Sequence, residues 1–211
     1  MIKYEELSNL QLDTLKEVGN IGAGHAATAL SQILLEKIQM TVPAVSIISL
    51  TKACEILGGV EQPVVGVYMR VFGDAPGKIV FLFTQAEALT LIDNVAGVKH
   101  ESPQNFGEYE ISAMKEIGNI MTGAYLYALS NLTGLNYFSS VPAFAHDMAG
   151  AILNTVLLDL GLMGDYALLI ETQFSLILTQ RKLNGHFFLI PDPDSLVLIL
   201  DALLTTNRNN T

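Results

Sequence analysis

Basic side chains are scarce. Lysine and arginine total 11 against 21 aspartates and glutamates, for a formal net charge of −10, and no basic cluster larger than a pair occurs. Such a surface repels phosphate backbones and anionic lipid heads, which argues against nucleic acid and membrane surfaces as partners. Cysteine is scarcer still. Cys54 stands alone, so no intrachain disulfide can form and a reducing compartment fits. No motif surrounds it, and a buried, inert thiol is expected. Long apolar runs are also missing. The most apolar region, 151–170, is interrupted by Asn154, Asp159 and Asp165, so it is expected to be buried rather than inserted in a membrane. The acidic start, Met1-Ile2-Lys3-Tyr4-Glu5-Glu6, lacks the basic stretch and apolar run of a signal peptide. Together these deficits predict a cytoplasmic location.

Several kinds of chemistry lack their residues. His25, His100, His146 and His186 show no metal-ligand spacing and no cysteine pair assists them, so no metal site is expected in the chain. No G-x-S-x-G elbow supports a serine hydrolase. Gly22 to Ala27 fits G-x-G-x-x-A, but an amphipathic helix rather than a buried strand precedes it. Asp192 and Asp194 flank Pro193 and suit a turn and a helix cap better than a metal pair.

What the chain does have is an apolar half, 50% of its residues, with only 15% charged, enough for a large interior. It is also written twice. Leu12 to Ser31 (LDTLKEVGNIGAGHAATALS) and Ile111 to Ser130 (ISAMKEIGNIMTGAYLYALS) agree at 9 of 20 positions with an offset of 99. Val42-Pro43-Ala44 is matched by Val141-Pro142-Ala143 at the same offset. Later the correspondence loosens and the offset grows to about 108, which places inserted residues within 151–170.

Each half reads as a long helix, strands, then a shorter helix. Val64 to Phe72 and Lys78 to Phe83 suit strands joined through 73–77, and 84–95 suits a helix. In the second half, strands are expected over 171–178 and 186–190 with Asn184-Gly185 as the turn, followed by a helix over 194–204. The face that 187–190 buries is unreadable, because all four residues are apolar. The expectation is one α+β domain over 1–211: halves at 8–98 and 107–204 related by a pseudo-two-fold axis, long helices packed on an antiparallel sheet, and a frayed polar tail at 205–211.

The first repeated helix opens near Ser8, which has capping-box spacing to Gln11. Leu12, Leu15, Val18, Gly22, Ala26, Ala29 and Ile33 form one stripe of apolar or small residues. Asp13, Glu17, Asn20 and Gly24 lie nearly opposite, within about 60° of one another. The second copy has Ile111, Met114, Ile117, Met121, Tyr125, Ala128 and Leu132 on its stripe, and Ser112, Glu116, Asn119 and Gly123 on the opposite row. A merely solvated face needs no particular residue, and mid-helix glycine costs roughly 1 kcal/mol relative to alanine. The recurrence of Glu, Asn and Gly on the outer face therefore needs another reason. A carboxamide can donate and accept at once, and so can hold a water in line with a phosphorus atom, as glutamine does in GTP hydrolysis. The carboxylate could anchor on a partner's lysine or arginine, and the glycine could admit a partner's backbone.

The pattern Asp/Ser-x3-Glu-x2-Asn-x22-Pro resembles the signature of the CheC/CheX/FliY phosphatases. It occurs complete twice, as Asp13, Glu17, Asn20, Pro43 and as Ser112, Glu116, Asn119, Pro142. The resemblance covers essentially the whole chain and is greatest to the CheC type. It implies hydrolysis of the aspartyl-phosphate of the chemotaxis response regulator CheY, with Glu17 or Glu116 contacting the regulator's lysine and Asn20 or Asn119 aligning the attacking water. It further implies that Mg²⁺ is carried by the regulator, that Pro43 and Pro142 shape strand entry, and that the receptor deamidase CheD is a second partner. The segment 143–158 is then a candidate docking helix, with Asp147 its most conspicuous charge. The alternative is a non-catalytic adaptor that sequesters CheD or a regulator.

Overall fold

A computed structural model describes residues 7–33, 37–96, 106–157, 166–177, 180–192 and 194–209. Two helices dominate, α1 (Asn9–Ile33) and α4 (Glu108–Thr133). The cap of α1 is reciprocal, and that of α4 is the half of it that a glycine allows. At α1 the Ser8 N–H donates to Gln11 Oε1 (2.8 Å) and the Gln11 N–H to Ser8 Oγ (3.3 Å). At α4 the Gly107 N–H donates to Glu110 Oε2 (2.8 Å), and the helix stops at Gly134, whose φ of 72° is open to glycine.

The remaining elements of the first half are β1 (Ile38–Thr41), β2 (Val45–Ser49), α2 (Leu50–Ile56), β3 (Pro63–Gly73), β4 (Gly77–Thr84) and α3 (Gln85–Ala96). The second half repeats them as β5 (Tyr137–Ser139), β6 (Ala143–Met148), α5 (Ala149–Leu157), β7 (Tyr166–Leu176), β8 (Arg181–Pro191) and α6 (Ser195–Asn209). Starting residues are offset by 99 at α1/α4 and α2/α5, by 103 at β3/β7 and by 110 at α3/α6. The extra length thus enters in part between α5 and β7, where 158–165 lie outside the described residues, and in part later.

One antiparallel sheet in the order β1-β7-β8-β4-β3-β5 unites the halves, with β2 also on β7 and β6 also on β3. Each half therefore lays its two short strands on the other half's long hairpin, and β4 meets β8 in the middle. The α+β class and the antiparallel sheet agree with expectation. Both faces of the sheet are covered. Val65, Val67, Met69, Phe81 and Phe187 pack with α1, α4, α3 and α6, whereas Val64, Leu82, Phe188 and Ile190 pack with α2 and α5. That is why 187–190 are apolar throughout: neighbouring residues feed opposite cores. No described helix is long and apolar enough to cross a membrane.

Three expectations require correction. Asn184 and Gly185 lie inside β8 rather than in its turn. A Cβ on Gly185 would sit 2.7 Å from both Phe174 and Phe83, so this glycine makes room for aromatic rings. The strand pair instead turns near Gln180, whose φ is 54°. The segment 143–158 is not one helix: it is strand β6 and then α5, because pairing with β3 at Tyr68↔Ala143 through Pro63↔Met148 takes up its first six residues. The tail is helical through Asn209, since Leu196, Ile199, Leu200 and Leu203 bury one face of α6. Asp192 is more than a turn residue, because its carboxylate pairs with Arg70, at 2.9 Å from Nη1 to Oδ1. Cys54 is buried on α2, and burial pushes its thiol pKa up.

Candidate active site

The repeated rows stand where the helical projection puts them. Leu15, Val18, Gly22 and Ala26 on α1, and Met114, Ile117, Met121, Tyr125 and Ala128 on α4, are buried. Leu12, Ala29, Ile111 and Leu132 are half-buried, and the Ile33 side chain lies outside the described set. The stripes fit each other closely. A Cβ on Gly22 would meet Tyr125 Cδ1 at 2.8 Å and its Cα at 3.1 Å, so α1 and α4 meet backbone to ring at this point. Tyr125 is stacked on Phe187 at 4.4 Å, and burial raises its hydroxyl to about 12.

Opposite the stripes, Asp13, Glu17, Gly24, Ser112, Glu116, Asn119 and Gly123 are exposed, and Asn20 is half-buried. Neither Glu17 nor Glu116 forms an ion pair among the described residues, whereas Lys52 pairs with Glu55 and Arg70 with Asp192. Both carboxylates are therefore available to a cation from outside. A Cβ on Gly24 or Gly123 would meet nothing within 4 Å, so nothing in the fold demands glycine there. The other repeated glycines differ. A Cβ on Gly19 would lie 3.3 Å from Val42, and one on Gly118 would lie 2.5 Å from Val67, so these two serve packing.

The two amides are not held alike. Asn20 Nδ2 donates to the Lys16 carbonyl (3.1 Å), and its Oδ1 accepts the Val42 N–H (3.0 Å). Its carboxamide thus ties α1 to the link between β1 and β2, and Val42 itself is buried at 2% exposure. In the second half the corresponding link is fastened elsewhere. The Ser140 N–H donates to the Arg70 carbonyl (2.8 Å), and the Arg70 N–H donates to Ser140 Oγ (3.0 Å). Val141, the counterpart of Val42, is 86% exposed, and no comparable tether holds Asn119 among the described residues. Pro43 and Pro142 occupy these links, where no ladder N–H is lost. Sequence comparison matched Val42 with Val141 but carried no signal that one is packed and the other turned outward.

Asp147 is exposed at the end of β6, far along the chain from either row, and accepts the Met148 N–H through its own Oδ1 (2.7 Å). It borders a cleft of about 320 Å³ between β6 and α5, floored by Gly66 and Val80. No group of three or more His, Cys, Asp or Glu placed to hold a metal occurs among the described residues. His25 lies on the surface with its ring edge-on to Tyr127 at 5.2 Å. Chemically, the rows offer an acid, an amide and an open backbone approach.

The family model described as CheC-like matches residues 10–47 and 110–145, the segments that carry the two rows and their prolines. The CheY-P phosphatase CheC of Bacillus subtilis is 37% identical over 202 residues, 95% of this chain and 97% of that protein. The flagellar motor switch phosphatase FliY of the same organism is 29% identical over 131 residues, 62% of this chain and 34% of that protein. Among solved structures, Thermotoga maritima FliY superposes with a TM-score of 0.80 at 21% identity, covering 95% of this chain and 99% of that one, which is a likeness of fold.

Proposed function

Because this chain belongs to the CheC-like family, we propose that it hydrolyses the aspartyl-phosphate of a CheY-type response regulator, using the acid–amide rows of α1 and α4. The observation that carries the assignment is the pair of outward-facing Glu-x-x-Asn rows, exposed except at the half-buried Asn20, whose glycines, Gly24 and Gly123, are not required by packing. Glu17 or Glu116 pairs with a lysine of the regulator and sets the helix in register. Asn20 or Asn119 then enters the phosphorylated pocket, accepts a hydrogen bond from water and places its oxygen in line with phosphorus. That water attacks, the P–O bond to the aspartate breaks, and inorganic phosphate and a free carboxylate result. The gain comes from positioning an already reactive acyl phosphate, so no covalent intermediate on this chain is needed. Mg²⁺ belongs to the regulator in this reading. The reaction would take place in the cytoplasm with its substrate.

The test is loss of acyl phosphate from phosphorylated CheY with and without the chain. Asn20→Ala combined with Asn119→Ala should abolish the acceleration while the far-ultraviolet circular dichroism is kept. Full turnover by the double variant would reject the assignment.

The cleft beside Asp147 supports a second partner, in our reading CheD, on the side of the sheet away from the two rows. Asp147→Lys should weaken CheD capture and leave phosphatase turnover intact. Undiminished capture would remove Asp147 from that interface.

A further inference from the structure

Five tyrosine side chains are described, and Tyr68, Tyr125 and Tyr137 are buried or half-buried. The other two, Tyr109 at 52% and Tyr127 at 55% exposure, both lie on α4. They are 18 residues apart, five helical turns, so they share one angular position about 27 Å apart along the axis. Between them and within about 80° of them lie Ser112, Glu116, Asn119 and Gly123. The α4 row is thus framed at each end by an exposed aromatic ring. At the offset of 99, α1 carries Leu10 and Thr28 instead, so only one of the two rows has this frame. The fold itself gains little from either ring: the ring neighbour of Tyr127 is the exposed His25.

We propose that Tyr109 and Tyr127 are docking anchors that seat the phosphorylated regulator on α4 and make this the tighter-binding of the two rows. The inference rests on the reading that the row itself enters the regulator's phosphorylated pocket. Tyrosine suits the task because it presents a large rigid surface with only two torsions and a hydroxyl that tolerates water, which is why it is enriched at interface hot spots. Two anchors on one line fix both the position and the rotation of a helix against its partner. Glu116 sets the register at one point, but a single charge on a flexible stem leaves the rotation of the helix free. The neutral hydroxyls add no charge beside the incoming phosphoryl group, in a helix whose first turn already carries Glu108 and Glu110.

The experiment uses the full chain with Asn20→Ala, so that turnover reports on α4, and phosphorylated CheY as the varied substrate. Adding Tyr109→Ala and Tyr127→Ala should raise the half-saturating CheY concentration about tenfold or more, with turnover at saturation falling less than about twofold. Phenylalanine at both positions should recover most of the affinity, because the ring rather than the hydroxyl supplies the contact. An unchanged half-saturating concentration overturns the proposal, and so does a fall confined to saturated turnover. Failure of the underlying site reading is distinguishable: it would appear as full activity after Asn20→Ala and Asn119→Ala, whatever the tyrosines do.

Discussion

At the scale of single residues, the two amides differ in what they must give up in order to act. Asn20 accepts the Val42 N–H, and turning its oxygen toward a water would leave that donor to find another partner. Removing a partner from a buried donor costs roughly 1–3 kcal/mol. Asn119 has no such bond to break among the described residues. Asn119→Ala should therefore remove more of the total turnover than Asn20→Ala, each site losing on the order of 100-fold when its own amide is absent. Equal residual activities in the two single variants would refute the inequality. Asn20→Ala should also lower thermal stability slightly, by loss of the tie to Val42, while Asn119→Ala should leave it unchanged. The identity of the acid, the amide and the glycine was legible in the duplicated sequence. The Val42 bond was not, because it joins residues 22 apart through a bend whose course depends on β7 of the other half.

At the scale of elements, the glycines separate into two kinds that look identical in the sequence. Gly22 and Gly118 lie under side chains of neighbouring elements, and alanine at Gly22 would collide with Tyr125. Gly22→Ala should cost about 1–3 kcal/mol, measured by chemical denaturation. Gly24 and Gly123 face open space, so alanine there should stabilise α1 and α4 by up to about 1 kcal/mol each through helix propensity. The same double variant should lose phosphatase activity by roughly tenfold if a regulator's backbone must approach at these points. Gain of stability with full activity would show that the glycines have no such role. A second element-level prediction concerns β8. His186 lies opposite Glu171 and is half-buried, and burial lowers its pKa below the usual 6.5 against the opposing pull of Glu87 and Glu171. The unfolded chain then binds the proton first, so stability is full above about pH 6.5 and declines as pH falls through the folded value. Between pH 7 and 5.5 the melting temperature of the protein should fall more steeply than that of His186→Gln. Parallel profiles would contradict this.

At the scale of the whole molecule, the sheet order makes the halves interdependent. The partners of β1 and β2 are on β7, and those of β5 and β6 are on β3, so neither half pairs its own short strands. A chain cut between Ala96 and Phe106 should therefore give two pieces that show no cooperative unfolding alone and recover it when mixed. Independent cooperative folding of either piece would contradict the interlocked arrangement. The same topology sets α2 and α5 on one face and α1 and α4 on the other, so a partner held beside Asp147 need not compete with a regulator on the rows.

By itself the sequence determined the duplication, the two long amphipathic helices, the β3–β4 hairpin and the outward rows of acid, amide and glycine. These follow from periodicity and capping among residues a few positions apart, and local spacing is enough to specify them. Only the tertiary structure decided that the short strands change halves, that Asn184-Gly185 runs straight through β8, that Val42 is packed while Val141 is exposed, and that one row alone is bordered by exposed rings. Each of those outcomes depends on which distant side chains cover a position, and equivalent residues in the two halves meet different neighbours.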